Sequence, residues 1–339
     1  MQKDSFTKFK SLISKSNNIV IVTHYNPDGD AMGSSLALYN YLVKMDKSVT
    51  VITPNEYPDF LHWLPGNKKV IAYTKQQKKA TAIVHKSDLI FTLDFNSLSR
   101  LESLGDLLKT SLAKKILIDH HQQPENYANL MYHDVAACST CELVYEFICG
   151  LGGKKLIDQD IAACLYTGIM TDTGSFRFDS VTPTTHRILA ELLSTGLKPS
   201  TVHSAIYDTY SQSRVKLLGY CLTEKMVVIP ELQTAYMALT EKELQKFDYQ
   251  KGDTEGIVNY PFSIKGITFC AFFTEGEGKI KISFRSKGSF DVNQFARKYF
   301  NGGGHINAAG GRGDVNDLQK TVDQFLELLP LYKKNILKK

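Results

Sequence analysis

Long hydrophobic runs are what this 339-residue sequence most plainly lacks. No apolar stretch approaches the ~18 residues of a membrane span, so the reading has no membrane partner. The opening MQKDSFTKFKSL carries neither an apolar targeting core nor a small-residue cleavage site, which points to a cytoplasmic protein. Cysteine is sparse, six over the whole chain, and scattered, which excludes a disulfide framework and fits reduced thiols. Cys138 and Cys141 stand at CxxC spacing, but no second pair follows, so they read as buried helix cysteines rather than zinc ligands. An excess of either charge is missing too: the net charge of +5 suits small anionic substrates without demanding a nucleic-acid groove. Internal repeats and low-complexity tracts are also absent. What remains is 43% hydrophobic and 22% charged, an ordinary globular composition of a length that suggests two domains.

Short β-branched apolar runs at Asn18–Thr23, Lys47–Thr53, Ser87–Phe95 and Lys114–His121 read as buried strands, with helical periodicity between them. That alternation predicts an α/β domain, residues 1–195, built on a doubly wound, mostly parallel sheet. Helices are expected from Ser34 to Met45, from about Ser139 to Cys149 and from Asp158 to Thr171. A further one is capped by Thr182, with Pro183 at its first position and Gly196 after its end. The proline-rich stretch 54–86 yields no elements. Residues 196–211 read as a polar helical linker, and 212–339 as a smaller α+β domain with a mixed sheet. In that domain TEGEGK (Thr274–Lys279) is expected as a hairpin turn, 314–332 as a last amphipathic helix and KKNILKK as a frayed tail.

The unusual feature is where the charged residues fall. HYNPDGDAMGSS puts His24, Asp28 and Asp30 on the loop after the first strand. Asp94 ends the third strand, and Asp119, His120 and His121 end the fourth. In an open parallel sheet the carboxyl ends of the strands face one crevice, where ligands bind. Asp172 continues the Ile161, Leu165, Ile169 stripe of its helix toward the same place. Four carboxylates crowded in this way raise one another's pKa values unless cations sit among them. Oxygen-rich donors with imidazoles and no thiolate suit Mn²⁺ or Mg²⁺. Two such ions about 3.5–4 Å apart would activate water for hydrolysis at phosphorus.

These residues resemble the DHH phosphoesterase superfamily. Its four motifs stand here as HYNPDGDAMGS (His24–Ser34), the Asp94 of LDFNS, Asp119–His120–His121, and the Asp172 of TGIMTDTGSF. The resemblance implies two manganese ions, with Mg²⁺ or Co²⁺ as substitutes. It implies His24 and Asp28 on one ion, Asp30, His120 and Asp172 on the other, and Asp94 bridging. Asp119 would support the site, and His121 would face the phosphate as a substrate contact or proton donor. SFRSKG (Ser283–Gly288) and GGGHINAAGG (Gly302–Gly311) are similar to a DHH-associated domain, which implies Arg285, Gly302, Gly303, Gly304 and His305 as substrate-binding residues. The match covers nearly the whole chain and is closest to the stand-alone nano-RNase and pAp phosphatase members of NrnA type. They are implied to cut short RNA oligonucleotides and dinucleotides to mononucleotides and to convert pAp to AMP; a homodimer is among the expectations for this chain. Pyrophosphatase or exopolyphosphatase activity, cyclic-dinucleotide cleavage, or a nucleotide sensor with a degenerate site are the other readings; the intact motifs speak against the sensor.

Overall fold

The computed structural model describes residues 2–276, 278–313 and 317–338. The chain divides into two compact units, Met1–Thr209 and Tyr210–Lys339. No described helix is long and apolar enough to cross a membrane.

The first unit is built on a seven-stranded sheet. Its strands are β1 (Gln2–Lys3), β2 (Asn18–Thr23), β3 (Ser48–Thr53), β4 (Ile71–Ala72), β5 (Leu89–Leu93), β6 (Lys114–Asp119) and β7 (Leu130–His133). Their order is β1-β7-β6-β5-β2-β3-β4, all parallel except the antiparallel edge pair β1–β7. The central strands are apolar on both faces, as a sheet covered on both sides requires. Ile19, Ile21, Leu89, Phe91, Leu93, Ile116 and Ile118 enter one core with the helices Gly29–Val43, Thr140–Gly150 and Gln159–Asp172. Val20, Val22 and Ile90 enter a second core on the opposite face, beneath Gln77–Lys86 and Ser103–Thr110. This is the doubly wound arrangement read from the sequence. The chain winds one way from β2 to β4 and returns to the other side of β2 with β5, so the order reverses between those two strands.

Several local expectations change. The stretch 54–86 holds two short 3₁₀ turns, β4 and the Gln77–Lys86 helix. The expected linker belongs to the first unit through residue 209, because the Pro199–Tyr207 helix buries Val202 and Ile206 in its core. The helix expected from Ser34 starts at Gly29, so Asp30 lies in its first turn rather than on a loop. Glycines at 29 and 33 hide the helix from a propensity reading, yet both are forced by packing. A Cβ on Gly29 would sit 2.3 Å from Thr171 Oγ1, and one on Gly33 would sit 2.5 Å from the Cys164 carbonyl oxygen.

The second unit carries a mixed six-stranded sheet of order β12-β13-β11-β10-β9-β8. These are β8 (Val227–Ile229), β9 (Thr234–Leu239), β10 (Phe269–Gly276), β11 (Lys279–Ser286), β12 (Gly303–Gly304) and β13 (Ala308–Arg312). Alternation along β10 sends Phe269, Ala271 and Phe273 into one core, and Cys270 and Phe272 into the other. The expected TEGEGK hairpin joins β10 to β11, which pair antiparallel with Gly276 opposite Lys279; the strands reach further into the segment than expected, and residue 277 lies outside the described residues. The last helix spans Leu318–Leu328 from an Asp317 cap, and residues 314–316 of the expected helix also lie outside the described residues. The tail is not frayed over Lys333–Ile336, which is helical and packs Ile336 into the core at 2% exposure. All six cysteines are free, and five of them, Cys138 and Cys141 included, are buried.

Candidate metal centre

The strand register assembles the site. Thr23 of β2 pairs with Leu93 of β5, and Leu93 with Ile118 of β6. One residue further along each strand therefore come His24, Asp94 and Asp119, a row at the carboxyl end of the three central strands. The row straddles the reversal point between β2 and β5, where open α/β sheets bind ligands. Asp94 holds a left-handed backbone conformation, φ 64°, uncommon for a residue other than glycine. It is 2% exposed.

Each imidazole is fixed by its outer nitrogen. His24 donates from Nδ1 to the Tyr25 carbonyl at 2.9 Å, which leaves Nε2 as a lone pair facing Asp94 Oδ2 at 3.5 Å and Asp28 Oδ2 at 3.7 Å. His120 donates from Nδ1 to the Ala137 carbonyl at 3.1 Å. Its Nε2 faces Asp172 Oδ2 at 3.5 Å, Asp94 Oδ1 at 3.7 Å and Asp30 Oδ2 at 3.8 Å. A ring nitrogen committed to a carbonyl leaves the other nitrogen in the tautomer that a metal binds. Beside the group Asp94–Asp119–His121, two donor groups form around these rings, His24–Asp28–Asp94 and Asp30–His120–Asp172. Asp94 joins them by turning one oxygen toward each.

The carboxylates are braced both from within the first motif and from outside the motifs. Asp28 Oδ1 accepts the amides of Asp30 and Ala31, both at 3.0 Å, as the cap of its helix. Asp30 accepts the amides of Thr140 at 2.6 Å and Cys141 at 2.9 Å, at the N-terminus of the Thr140–Gly150 helix. The Thr140 hydroxyl donates to Asp94 Oδ1 at 2.9 Å. A helix N-terminus supplies free amides and a positive dipole end, so it suits these anions. Asn55, directly after β3, accepts the Asn26 amide and donates to its side-chain oxygen, both at 2.8 Å. That reciprocal pair holds Asn26 in a left-handed conformation within the first motif and gives part of the unread 54–86 stretch a positioning role.

The crowded acids and imidazoles shift one another. Burial, then the Asp30 and Asp28 charges, pushes the Asp94 carboxyl well above the usual carboxylate range. Burial also raises Asp30. Burial would lower His120, but Asp172, Asp30 and Asp94 outweigh it and hold the ring at about 9. Asp28 moves the other way, held below the usual range against its burial by His24 and the Ala31 amide. His121 differs: burial pushes it down to about 4 although Nδ1 donates to Asp119 Oδ1 at 2.8 Å. His133 fixes it further through a 2.7 Å bond from Nε2 to the His121 carbonyl. Asp119 is fully buried, and its Oδ2 has no hydrogen-bond partner among the described residues.

The candidates of the second unit gather on the β11–β13 side of its own sheet. Arg285 pairs in register with Ala308, and the His305 amide donates to the Ala308 carbonyl at 2.7 Å. The glycine turn is a strand, β12. The Gly304 amide donates to Asn293 Oδ1 at 2.9 Å and the Gly302 amide to the Ala296 carbonyl at 3.2 Å, so both are engaged inside the fold rather than open to an anion. A Cβ on Gly302 or Gly304 would press on the Gly310 or Ala308 carbonyl oxygen at 2.0 and 2.4 Å. Close backbone packing accounts for these glycines.

All eight candidates of the first unit come together. The parts played by Thr140, Asn55 and His133 are not among the expectations from sequence. Only the Thr140 position carried a local signal, the Ser139 cap opening a helix.

The chain also matches known families and proteins. The model of the DHH family, N-terminal domain, matches residues 18–169, and that of the DHHA1 domain matches residues 231–329. The bifunctional oligoribonuclease and PAP phosphatase NrnA of Bacillus subtilis is 30% identical over 90% of this chain and 92% of its own. The protein of the same name from Thermus thermophilus is 30% identical over 91% of this chain and 88% of its own. The crystal structure of an exopolyphosphatase-related protein from Bacteroides fragilis superposes with a TM-score of 0.92 at 42% identity, covering 98% of this chain and 97% of that one.

Proposed function

Since the chain belongs to the DHH family and carries a DHHA1 domain, we propose that it is a manganese-dependent phosphoesterase of short nucleotides. It would cut oligoribonucleotides and dinucleotides to mononucleotides and remove a phosphate from pAp, as the names of its relatives describe for them. The observation that carries the reading is Asp94, whose two oxygens face His24 of one donor group and His120 of the other. The donors fit two hard divalent ions: carboxylate oxygens and imidazole nitrogens held in the binding tautomer, with no cysteine in the donor groups among the described residues. His24 and Asp28 would hold one ion, Asp30, His120 and Asp172 the other, with Asp94 between them. When bound, the ions supply Lewis-acid charge and a more acidic water.

The remaining work falls to the protein. Asp119 holds the His121 Nδ1–H, so the Nε2 of this neutral ring is the atom available to exchange a proton with the substrate or its leaving oxygen. Thr140 and the helix amides fix Asp94 and Asp30, limiting reorganisation as the phosphate charge shifts. Arg285 and His305 are assigned to the rest of the nucleotide, with Gly302, Gly303 and Gly304 shaping the strand that carries His305. The Bacteroides fragilis likeness keeps polyphosphate as the second reading.

The test is a manganese titration with turnover measured on pAp, a diribonucleotide, pyrophosphate, polyphosphate and a cyclic dinucleotide. Two ions per chain with pAp and the diribonucleotide turned over fastest is the expected result. Preference for polyphosphate or pyrophosphate would replace the nucleotide reading.

A further inference from the structure

Asp30, Asp94 and His120 come from three different motifs, yet one short segment outside all of them, residues 137–141, holds the three together. The Ala137 carbonyl accepts from His120 Nδ1 at 3.1 Å, and the Thr140 hydroxyl donates to Asp94 Oδ1 at 2.9 Å. The amides of Thr140 and Cys141 donate to Asp30 at 2.6 and 2.9 Å. Bonds of this length weaken steeply with misalignment, so the aim of all three side chains depends on where this segment sits.

The segment is itself fixed by Glu142. Ser139 caps the Thr140–Gly150 helix by accepting the Glu142 amide at 3.1 Å. In a full capping box the acid at this third position turns back to the amide of the cap residue. Here its Oε2 accepts the Cys138 thiol at 3.0 Å and, 43 residues along the chain, the Thr185 hydroxyl at 2.7 Å. Thr185 in turn accepts the Thr182 amide at 3.1 Å, inside the capping box of the Pro183–Leu193 helix. Glu142 is 5% exposed, Cys138 2%, and Ser139 and Thr185 are fully buried.

A carboxylate is costly to bury, and the helix does not need one at this place. Ser139 already caps it, and an acid in the first turn would serve the helix dipole from the surface as well. An apolar side chain would fill the space between the two helices without that cost. What the carboxylate adds is direction. Two hydrogen bonds from separate elements fix the first turn against sliding and rotation, which apolar contacts do not. That first turn is the part of the helix that carries the donors to Asp30 and Asp94.

We propose that Glu142 is a positioning residue of the metal centre. Through its bonds to Cys138 and Thr185 it holds residues 137–141 in the setting that aims Asp30, Asp94 and His120, and it ties that setting to the start of the Pro183–Leu193 helix. The proposal rests on the two-ion reading for what the three side chains bind, whereas the positioning itself is a property of the chain without ions.

The test compares Glu142→Ala, Thr185→Val, Thr185→Ser and the double variant Glu142→Ala/Thr185→Val with the wild type, each as the full chain with its melting temperature recorded. In the metal-free chain, amide exchange at Thr140 and Cys141 should quicken about tenfold in Glu142→Ala and Thr185→Val, the worth of a typical hydrogen bond, while residues 145–148 of the same helix stay protected. Manganese affinity, titrated calorimetrically, should fall about ten- to a hundredfold, as it does for outer partners of metal ligands. Thr185→Ser keeps the hydroxyl and should regain most of that loss. Both substitutions break the same contact, so the double variant should be no weaker than Glu142→Ala. Wild-type manganese affinity in a folded Glu142→Ala, exchange that quickens evenly along the helix, a Thr185→Ser as weak as Thr185→Val, or additive losses in the double variant would each overturn the proposal. Should Glu142→Ala fail to fold, the Thr185→Val and Thr185→Ser pair decides by the same two measurements. A wild-type chain that binds no manganese would defeat the two-ion reading instead, and the metal-free exchange would then decide the positioning role by itself.

Discussion

The two units spend their buried volume differently. In the second, Phe269, Phe273, Phe284, Phe295, Phe300 and Phe325 are packed edge-on and tilted in a core with almost no exposure. In the first, Asp30, Asp94, Asp119, His120 and His121 are buried at strand ends. Aromatic packing contributes stability through dispersion and area removed from water, with no counter-ion needed. Buried carboxylates cost free energy until cations and hydrogen bonds offset them. The aromatic core thus needs no counter-charge, whereas the strand-end acids rely on amide and hydroxyl bonds and, on the two-ion reading proposed above, on bound ions.

The sharpest way to break that comparison is at Asp94. Asp94→Asn should lower kcat by at least about 10³-fold and weaken ion binding, because a single group faces both donor sets. Hydrogen exchange should show manganese protecting β2, β5 and β6 of the wild type but leaving β10 and β11 unchanged; equal protection of both units would erase the distinction drawn above. His121→Ala supplies the contrast within the site, keeping its ions while losing about 10²–10⁴-fold in kcat. Metal analysis decides it, and a missing ion would move His121 among the ligands.

Thr140→Val comes next. It removes the hydroxyl that holds Asp94 Oδ1 and keeps the amide that holds Asp30, so manganese affinity or activity should drop about 10- to 100-fold with the fold intact. Wild-type affinity in this variant would show that the bracing hydroxyl adds nothing.

In the second unit effects should be smaller and of another kind. Arg285→Ala and His305→Ala should raise KM for pAp and dinucleotides by about tenfold with manganese content unchanged, the loss expected of a charge-assisted contact. A fall in kcat alone would assign both residues elsewhere.

The smallest effect concerns pH. Burial would raise Glu243, but bonds from the Tyr220 hydroxyl, the Thr240 amide and Lys225 overcome it and hold the carboxyl down to about 2. Stability from this group is complete above the usual carboxylate range and is lost as pH falls toward 2. Glu243→Gln should therefore flatten the acid side of the melting-temperature profile for the second unit. An acid limb identical to wild type would show that the pairing carries no stability.

How much of this was legible depends on how local each cause is. The strands at Asn18–Thr23, Leu89–Leu93 and Lys114–Asp119 announce themselves, because a strand covered on both faces must be apolar throughout. The acids that follow them stand out for the same reason, charge placed directly after a buried run. Asp30 was put on a loop because Gly29 and Gly33 weaken the helical signal, and the packing that demands those glycines comes from Thr171 and Cys164, far along the chain. The tail was read as frayed because nothing in KKNILKK shows that Ile336 finds a core.

By itself, then, the sequence determined which atoms the centre uses: four carboxylates and two imidazoles, each marked by its neighbours in the chain. Only the tertiary structure decided how those atoms are held and what stands beside them. Thr140 reaches Asp94 across 46 residues, Asn55 reaches Asn26 across 29, and Thr185 reaches Glu142 across 43. Such partners are single polar side chains on ordinary turns and helix ends, with no periodicity or motif of their own. The parallel register of β6, β5 and β2 brings them to one place, and a register is a property of strands paired in space.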